Sequence, residues 1–341
     1  MKKFLIKISY TVFPIWLAVI ALVCFYNLVI VPNMQGDLGV LGKIPMKLYY
    51  ERGSDTTVYE DHVSTIDKIE TIKDDTFNII TCGDSFSQAG IYGYQNYMSS
   101  KGLSIINYFP YGPLRWNPFQ SAYDLMNLGY IDSTNVNMLI IESVERSLLF
   151  RLQELEFNHI IMDESDEVSD NSDGNNLLLE AKAYLDLRLD QKKNPVKHLN
   201  ISKTLFTGTR GQTLYFYTDD IIDNGFSIPE ESYSLVKANI DSLFLKASSK
   251  NIHLMILVCP DKYDIYQDFI VDNPYPRKTI NEDFRKIVGN REDIIIGKEI
   301  LLPYINKGMK DIYYFDDTHW SFKSAELIAD TLASLYNRSS F

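Results

Sequence analysis

Short, uninterrupted apolar runs alternate with helix-like segments along most of this chain. Runs at 76–82, 103–108, 136–141 and 252–258 read as strands, with a weaker run at 293–296 and a closing segment at 311–314. Runs without polar alternation suit strands covered on both faces, as in a parallel α/β sheet. Helices are predicted between them at 86–100, 118–128, 232–249 and 321–336. The last carries Ala325, Ile328, Ala329, Leu332, Leu335 and Tyr336 on one face, with Ser321 as its N-cap.

The alternation breaks once. Residues 150–231 have no matching repeat and contain a separate strand-like run at 212–217, so they read as an insertion that covers the site. Their acidic stretch, Asp163 to Asp173, lacks the spacing and glycine of a calcium loop and reads as a solvated loop. The predicted organisation is an anchor at 1–31, a juxtamembrane linker at 32–75 and one domain at 76–341.

The anchor follows from the first residues. Behind Lys2, Lys3 and Lys7, the run from Ile8 to Val31 has 24 residues and no charge, more than the roughly 20 needed to span hydrocarbon. Pro14 is tolerable in such a helix. No Lys or Arg follows until Lys43, which places the N-terminus in the cytoplasm and the rest of the chain outside it, a single-pass cell-membrane topology. A cleaved signal peptide is the rival reading, but no small-x-small site follows the apolar core.

The charge narrows the partners. With 33 Lys plus Arg against 45 Asp plus Glu, the net charge is −12, which argues against nucleic-acid binding. The three cysteines form no disulfide pattern: Cys24 lies in the apolar run, and Cys82 and Cys259 end strand-like runs as small buried hydrophobes. Cys82, three residues before Ser85, points into the sheet and is a poor nucleophile. The sequence points to no metal or cofactor.

Two post-strand turns carry candidate chemistry. Gly83-Asp84-Ser85-Phe86 follows the first strand, and Asp316-Asp317-Thr318-His319-Trp320 follows the closing segment. Ligands of open parallel sheets bind beyond the carboxyl ends of the strands, where both turns must lie. A helix starting near Phe86 would present free N–H groups and its dipole to an oxyanion beside Ser85. Of the five histidines only His319 sits in a post-strand loop before a helix, and a carboxylate close before it can fix its tautomer. The lipase elbow Gly-x-Ser-x-Gly is absent, because Ser87 replaces the second glycine.

At these residues the chain resembles the SGNH or GDSL superfamily. Asp317-Thr318-His319-Trp320 in particular resembles the Asp-x-His-Trp signature of the alginate O-acetyltransferase-like (AlgJ/AlgX) branch. The resemblance implies a three-layer sandwich around a mostly parallel sheet. It also implies Ser85 as nucleophile, His319 as base and Asp317 as orienting acid; the general superfamily spacing selects Asp316 instead. Its oxyanion hole would use Ser85 and Gly112. The family asparagine is absent from Glu142-Ser143-Val144-Glu145-Arg146-Ser147, leaving Arg146 as a substitute donor or a salt-bridge residue.

Lys262, in Pro260-Asp261-Lys262, matches a Pro-x-Lys segment and is a candidate for the acceptor groove, the alternative being a solvated loop lysine. Trp116 is a candidate sugar platform, and Trp320 is expected to pack behind His319. The implied activity is extracytoplasmic O-acetylation of a polysaccharide, with a membrane-bound O-acyltransferase as acetyl donor. A carbohydrate esterase or deacetylase, and a non-catalytic polysaccharide-assembly protein, are the alternatives.

Overall fold

Isoleucine-rich runs supply the strands of a six-stranded sheet, as their stiff, branched side chains favour. The structure is a computed structural model that describes residues 2–26, 28, 31–52, 63–67, 77–88, 93–109, 117–129, 131–132, 134–157, 195–221 and 226–338. In chain order the strands are β1 (Thr65–Ile66), β2 (Ile79–Cys82), β3 (Ile105–Tyr108), β4 (Met138–Val144), β5 (Val196–Asn200), β6 (Thr213–Tyr217), β7 (His253–Cys259) and β8 (Ile294–Ile296). The main sheet has the order β1-β3-β2-β4-β7-β8, and every pair in it is parallel.

The helices are α1 (Lys2–Phe25), α2 (Gly36–Leu41), α3 (Tyr94–Ser99), α4 (Pro118–Asn127), α5 (Glu145–Gln153), α6 (Tyr233–Ser249), α7 (Lys262–Tyr266), α8 (Ile280–Val288), α9 (Gly297–Asn306) and α10 (Phe322–Arg338). Successive strand residues point to opposite faces. Ile79, Ile105, Ile140 and Leu257 pack with α3, α9 and α10, whereas Ile80, Ile106, Ile141 and Ile256 pack with α4, α5, α6 and α8. Two cores on either side of one sheet make the three-layer sandwich, and the expected face of α10 is buried in the first of them.

Several expectations are corrected. Residues 311–314 form no strand, because Asp311 takes a left-handed conformation (φ 57°) and Tyr313 makes a single antiparallel bridge to Trp320. Ser321 stands at the N-cap position of α10, its carbonyl accepting the Ala325 N–H, but its hydroxyl donates to the Asp311 carbonyl instead of accepting from the helix. Residues 84–88 are a turn, and the helix predicted from Phe86 starts only at Tyr94. Much of the supposed linker is core: Leu38 and Met46 are fully buried, and Tyr50 packs on Phe315.

The acidic stretch of the insertion lies outside the described residues. Its β5–β6 hairpin does not cover Ser85 but backs the His319 loop, with Tyr215 5.0 Å from Phe315 between ring centres. At the N-terminus α1 ends at Phe25, within the expected anchor, and its described side chains are exposed. Among the described residues no helix is long and apolar enough to cross a membrane; the side chains of 1–9, 11, 27, 29 and 30, which include both ends of the expected run, lie outside them.

Candidate active site

The nucleophile turn is built from beneath by buried acids. At Gly83 a side chain would fall inside contact distance of Ser87 Oγ and Glu142 Oε2, so the chain can pass there only without a Cβ. Glu142, fully buried on β4, accepts the Asp84 N–H and the Ser87 hydroxyl, both at 2.9 Å. Burial and the neighbouring Asp84 charge push its carboxyl well up. Asp84 accepts from Phe86 N (3.2 Å), Val144 N (2.8 Å) and Arg151 Nη1 (2.6 Å). Burial opposes its charge, but Arg151 and these bonds hold it below the usual carboxylate range. Ser87 O is fixed in turn by Gln95 and Asn107. The turn therefore leaves Ser85 at the sheet edge without help from a helix N-terminus.

The second turn meets it there. His319 Nε2 lies 2.8 Å from Ser85 Oγ, and His319 Nδ1 lies 2.6 Å from Asp317 Oδ1, which also accepts the His319 N–H at 3.1 Å. Burial pulls the imidazole down, but the bond to Asp317 and its charge, helped by Asp37 and Asp84, raise it overall. Asp317 resists burial because His319 and Arg52 hold its carboxyl well below the ordinary range. Asp316 does not touch the ring. It is fully buried, bonded to Arg52 Nε at 3.0 and 3.2 Å, and its carbonyl accepts from Leu38 N and Gly39 N. Between the two carboxylates, the geometry assigns the His319 contact to Asp317.

Aromatic packing and one buried cation fix this loop. Phe86 sits 5.0 Å from the His319 ring and 4.9 Å from Trp320, which also packs on Tyr94. Lys262, read as a groove or solvated residue, is instead buried. Its Nζ donates to the carbonyls of Tyr314 (2.6 Å), Phe315 (3.0 Å) and Asp317 (2.9 Å). Burial pulls its ammonium down to about 8 against the attraction of Asp316, Asp37 and Asp317.

Residues 181–341 match the SGNH hydrolase-like domain of acetyltransferase AlgX. This AlgX-like part carries Lys262, Asp316, Asp317 and His319, while Ser85 comes from the chain before it. No curated protein and no solved structure matches the chain.

Beside Ser85 a cavity of about 410 Å³ is lined by residues that include Gln88, Tyr108, Phe109, Ser147 and Arg146, all from the part of the chain before residue 181. Arg146, which also lines this cavity, makes the expected salt bridges through Nη1, to Asp261 (2.5 Å) and Asp220 (3.4 Å). Gly112 and Trp116 lie outside the described residues. Among the described residues nothing accepts from the Ser85 N–H, which is left as a donor for an oxyanion. Cys82 is fully buried and its thiol is pushed up by burial, which suits a packing role.

Sequence reasoning missed Asp37, Arg52 and the buried pair Glu142 and Arg151. Asp37 and Arg52 lie in the segment read as a linker, where no motif marks them. Glu142 was visible only as the residue standing near a missing asparagine.

Proposed function

We propose that the chain is an O-acetyltransferase that acetylates a polysaccharide through an acetyl-Ser85 intermediate. The observation that carries this reading is the relay from Ser85 Oγ through His319 to Asp317, with one end in the AlgX-like part of the chain. Asp317 holds the ring so that Nε2 faces the hydroxyl. As Ser85 Oγ attacks the acetyl carbonyl, His319 takes its proton, and the Ser85 N–H faces the developing oxyanion. The intermediate collapses when His319 returns that proton to the leaving group of the donor, which leaves acetyl-Ser85. A sugar hydroxyl in the cavity then gives its proton to His319 and attacks the ester. Ser85 is released when His319 reprotonates it.

The location belongs to the same proposal. Most of the large apolar side chains described in α1, among them Phe13, Trp16 and Leu22, are more than half exposed, which suits a helix whose partner is lipid. A membrane anchor with the domain outside the cytoplasm would set Ser85 beside a membrane-bound O-acyltransferase as acetyl donor. The solvent-facing contact between Ser85 and His319 favours a second reading, a carbohydrate esterase in which water replaces the sugar. Acetate release without transfer to an added oligosaccharide would select it. The test of the main reading is Ser85→Ala and His319→Ala in the native host: both should abolish polysaccharide acetylation, and unchanged acetylation in both would sink it.

A further inference from the structure

His319 has a second carboxylate beside it, supplied by the segment that follows α1. Asp37, in the first turn of α2, accepts the Thr318 N–H at 2.7 Å through Oδ1 and the Thr318 hydroxyl through Oδ2, and Oδ2 lies 3.8 Å from His319 Nδ1. Asp317 alone is a compromised counter-ion. Its Oδ1 takes the ring nitrogen, but its Oδ2 is held by Arg52 Nη2 at 2.6 Å, so a guanidinium competes for the charge that must stabilise the imidazolium.

We propose that Asp37 is a positioning residue and second counter-charge for His319, which makes the segment after α1 part of the active site. The inference rests on the acyl-transfer reading above. When the bond from Ser85 Oγ to the acyl carbon forms, the Ser85 proton moves to His319 Nε2, and Nδ1 of the positive ring then has both the Asp317 and the Asp37 carboxylates beside it. The other charged groups around it are already engaged. Arg52 reaches the ring only through Asp317, Lys262 binds the Asp317 carbonyl, and Asp84 is paired with Arg151 beneath the nucleophile turn. Burial and the Asp317 charge push Asp37 up to about 6, while the bond to Asp317 and the Asp317 and Asp37 charges raise the imidazole.

The test is the pH dependence of covalent labelling of Ser85 by a fluorophosphonate, which needs neutral His319 but no acceptor. The full-length wild type, Asp37→Asn, Asp37→Glu and Thr318→Val are compared, with melting curves as a check of folding. Asp37→Asn keeps an acceptor for the Thr318 N–H and removes only the charge. Its acid limb should move roughly one pH unit lower, because the imidazolium has lost a nearby anion. Asp37→Glu and Thr318→Val, which keep both carboxylates, should retain the wild-type limb. An unmoved limb in Asp37→Asn, or an equal shift in Thr318→Val, overturns the role of Asp37 while leaving the acyl-transfer reading standing. Failure of the folded wild type to label brings down both.

Discussion

Arg52 Nη2 lies 2.6 Å from Asp317 Oδ2, on the oxygen that His319 does not use. The guanidinium also bonds Asp316 through Nε and stacks on the Tyr314 ring at 4.3 Å, so one arginine locks both acids of the loop. Removing it would leave buried Asp316 without its counter-ion. Arg52→Gln should lower stability by about 2–4 kcal/mol, measured by urea unfolding at pH 7. Arg52→Lys should rescue little, because it cannot bridge two carboxylates with a planar fork.

The two neighbouring acids should separate in kinetics. Asp317→Asn loses the group that sets the His319 tautomer and should cut turnover of an activated acetyl ester by about 10⁴-fold. Asp316→Asn should chiefly destabilise the loop and cost far less in turnover, since Asp316 makes no contact with the ring. Equal losses of turnover in both variants, with both folded, would contradict the assignment.

Burial of Lys262 makes a pH prediction with a definite sign. The folded chain releases this proton near pH 8, whereas the unfolded chain holds it to about 10.5. Between those values the unfolded state binds more protons, so this group adds stability as pH rises, on the order of 3 kcal/mol across the window. The comparison is the pH dependence of unfolding free energy in wild type and Lys262→Met. The wild type should gain on the variant from pH 8 to 10.5, and parallel curves would refute the buried charge.

Gly83 is a steric requirement. Gly83→Ala would push a methyl against Ser87 and Glu142 and displace the nucleophile turn. We expect a loss of about 1–3 kcal/mol and a large drop in Ser85 labelling, whereas Gly102→Ala, with open space around it, should leave labelling intact despite its positive φ of 87°.

Five of the six sheet strands were legible because they are uninterrupted apolar runs, β1 lying in the segment read as a linker, and Ser85 because it follows such a strand; His319 was found behind an apolar run that forms no strand. What stayed hidden depends on contacts between distant parts of the chain. Arg52 meets Asp317 across 265 positions and Asp37 meets Thr318 across 281, with no local pattern to announce either. Lys262 looked like a loop lysine because a lone charge in sequence reads as solvated, and only the fold reveals the three carbonyls around it. The helix expected at Phe86 failed for a related reason: Asp84 and Ser87 spend their polar groups on buried partners instead of capping a helix.

The central claim is a covalent acetyl-Ser85. The most direct measurement is peptide mapping by mass spectrometry after brief exposure of the full-length protein to an activated acetyl ester and an acid quench. The account predicts one acetyl group on the peptide containing Ser85, absent in Ser85→Ala and strongly reduced in His319→Ala. An acetyl group on another residue, or an unmodified Ser85 in protein that turns the ester over, would contradict it.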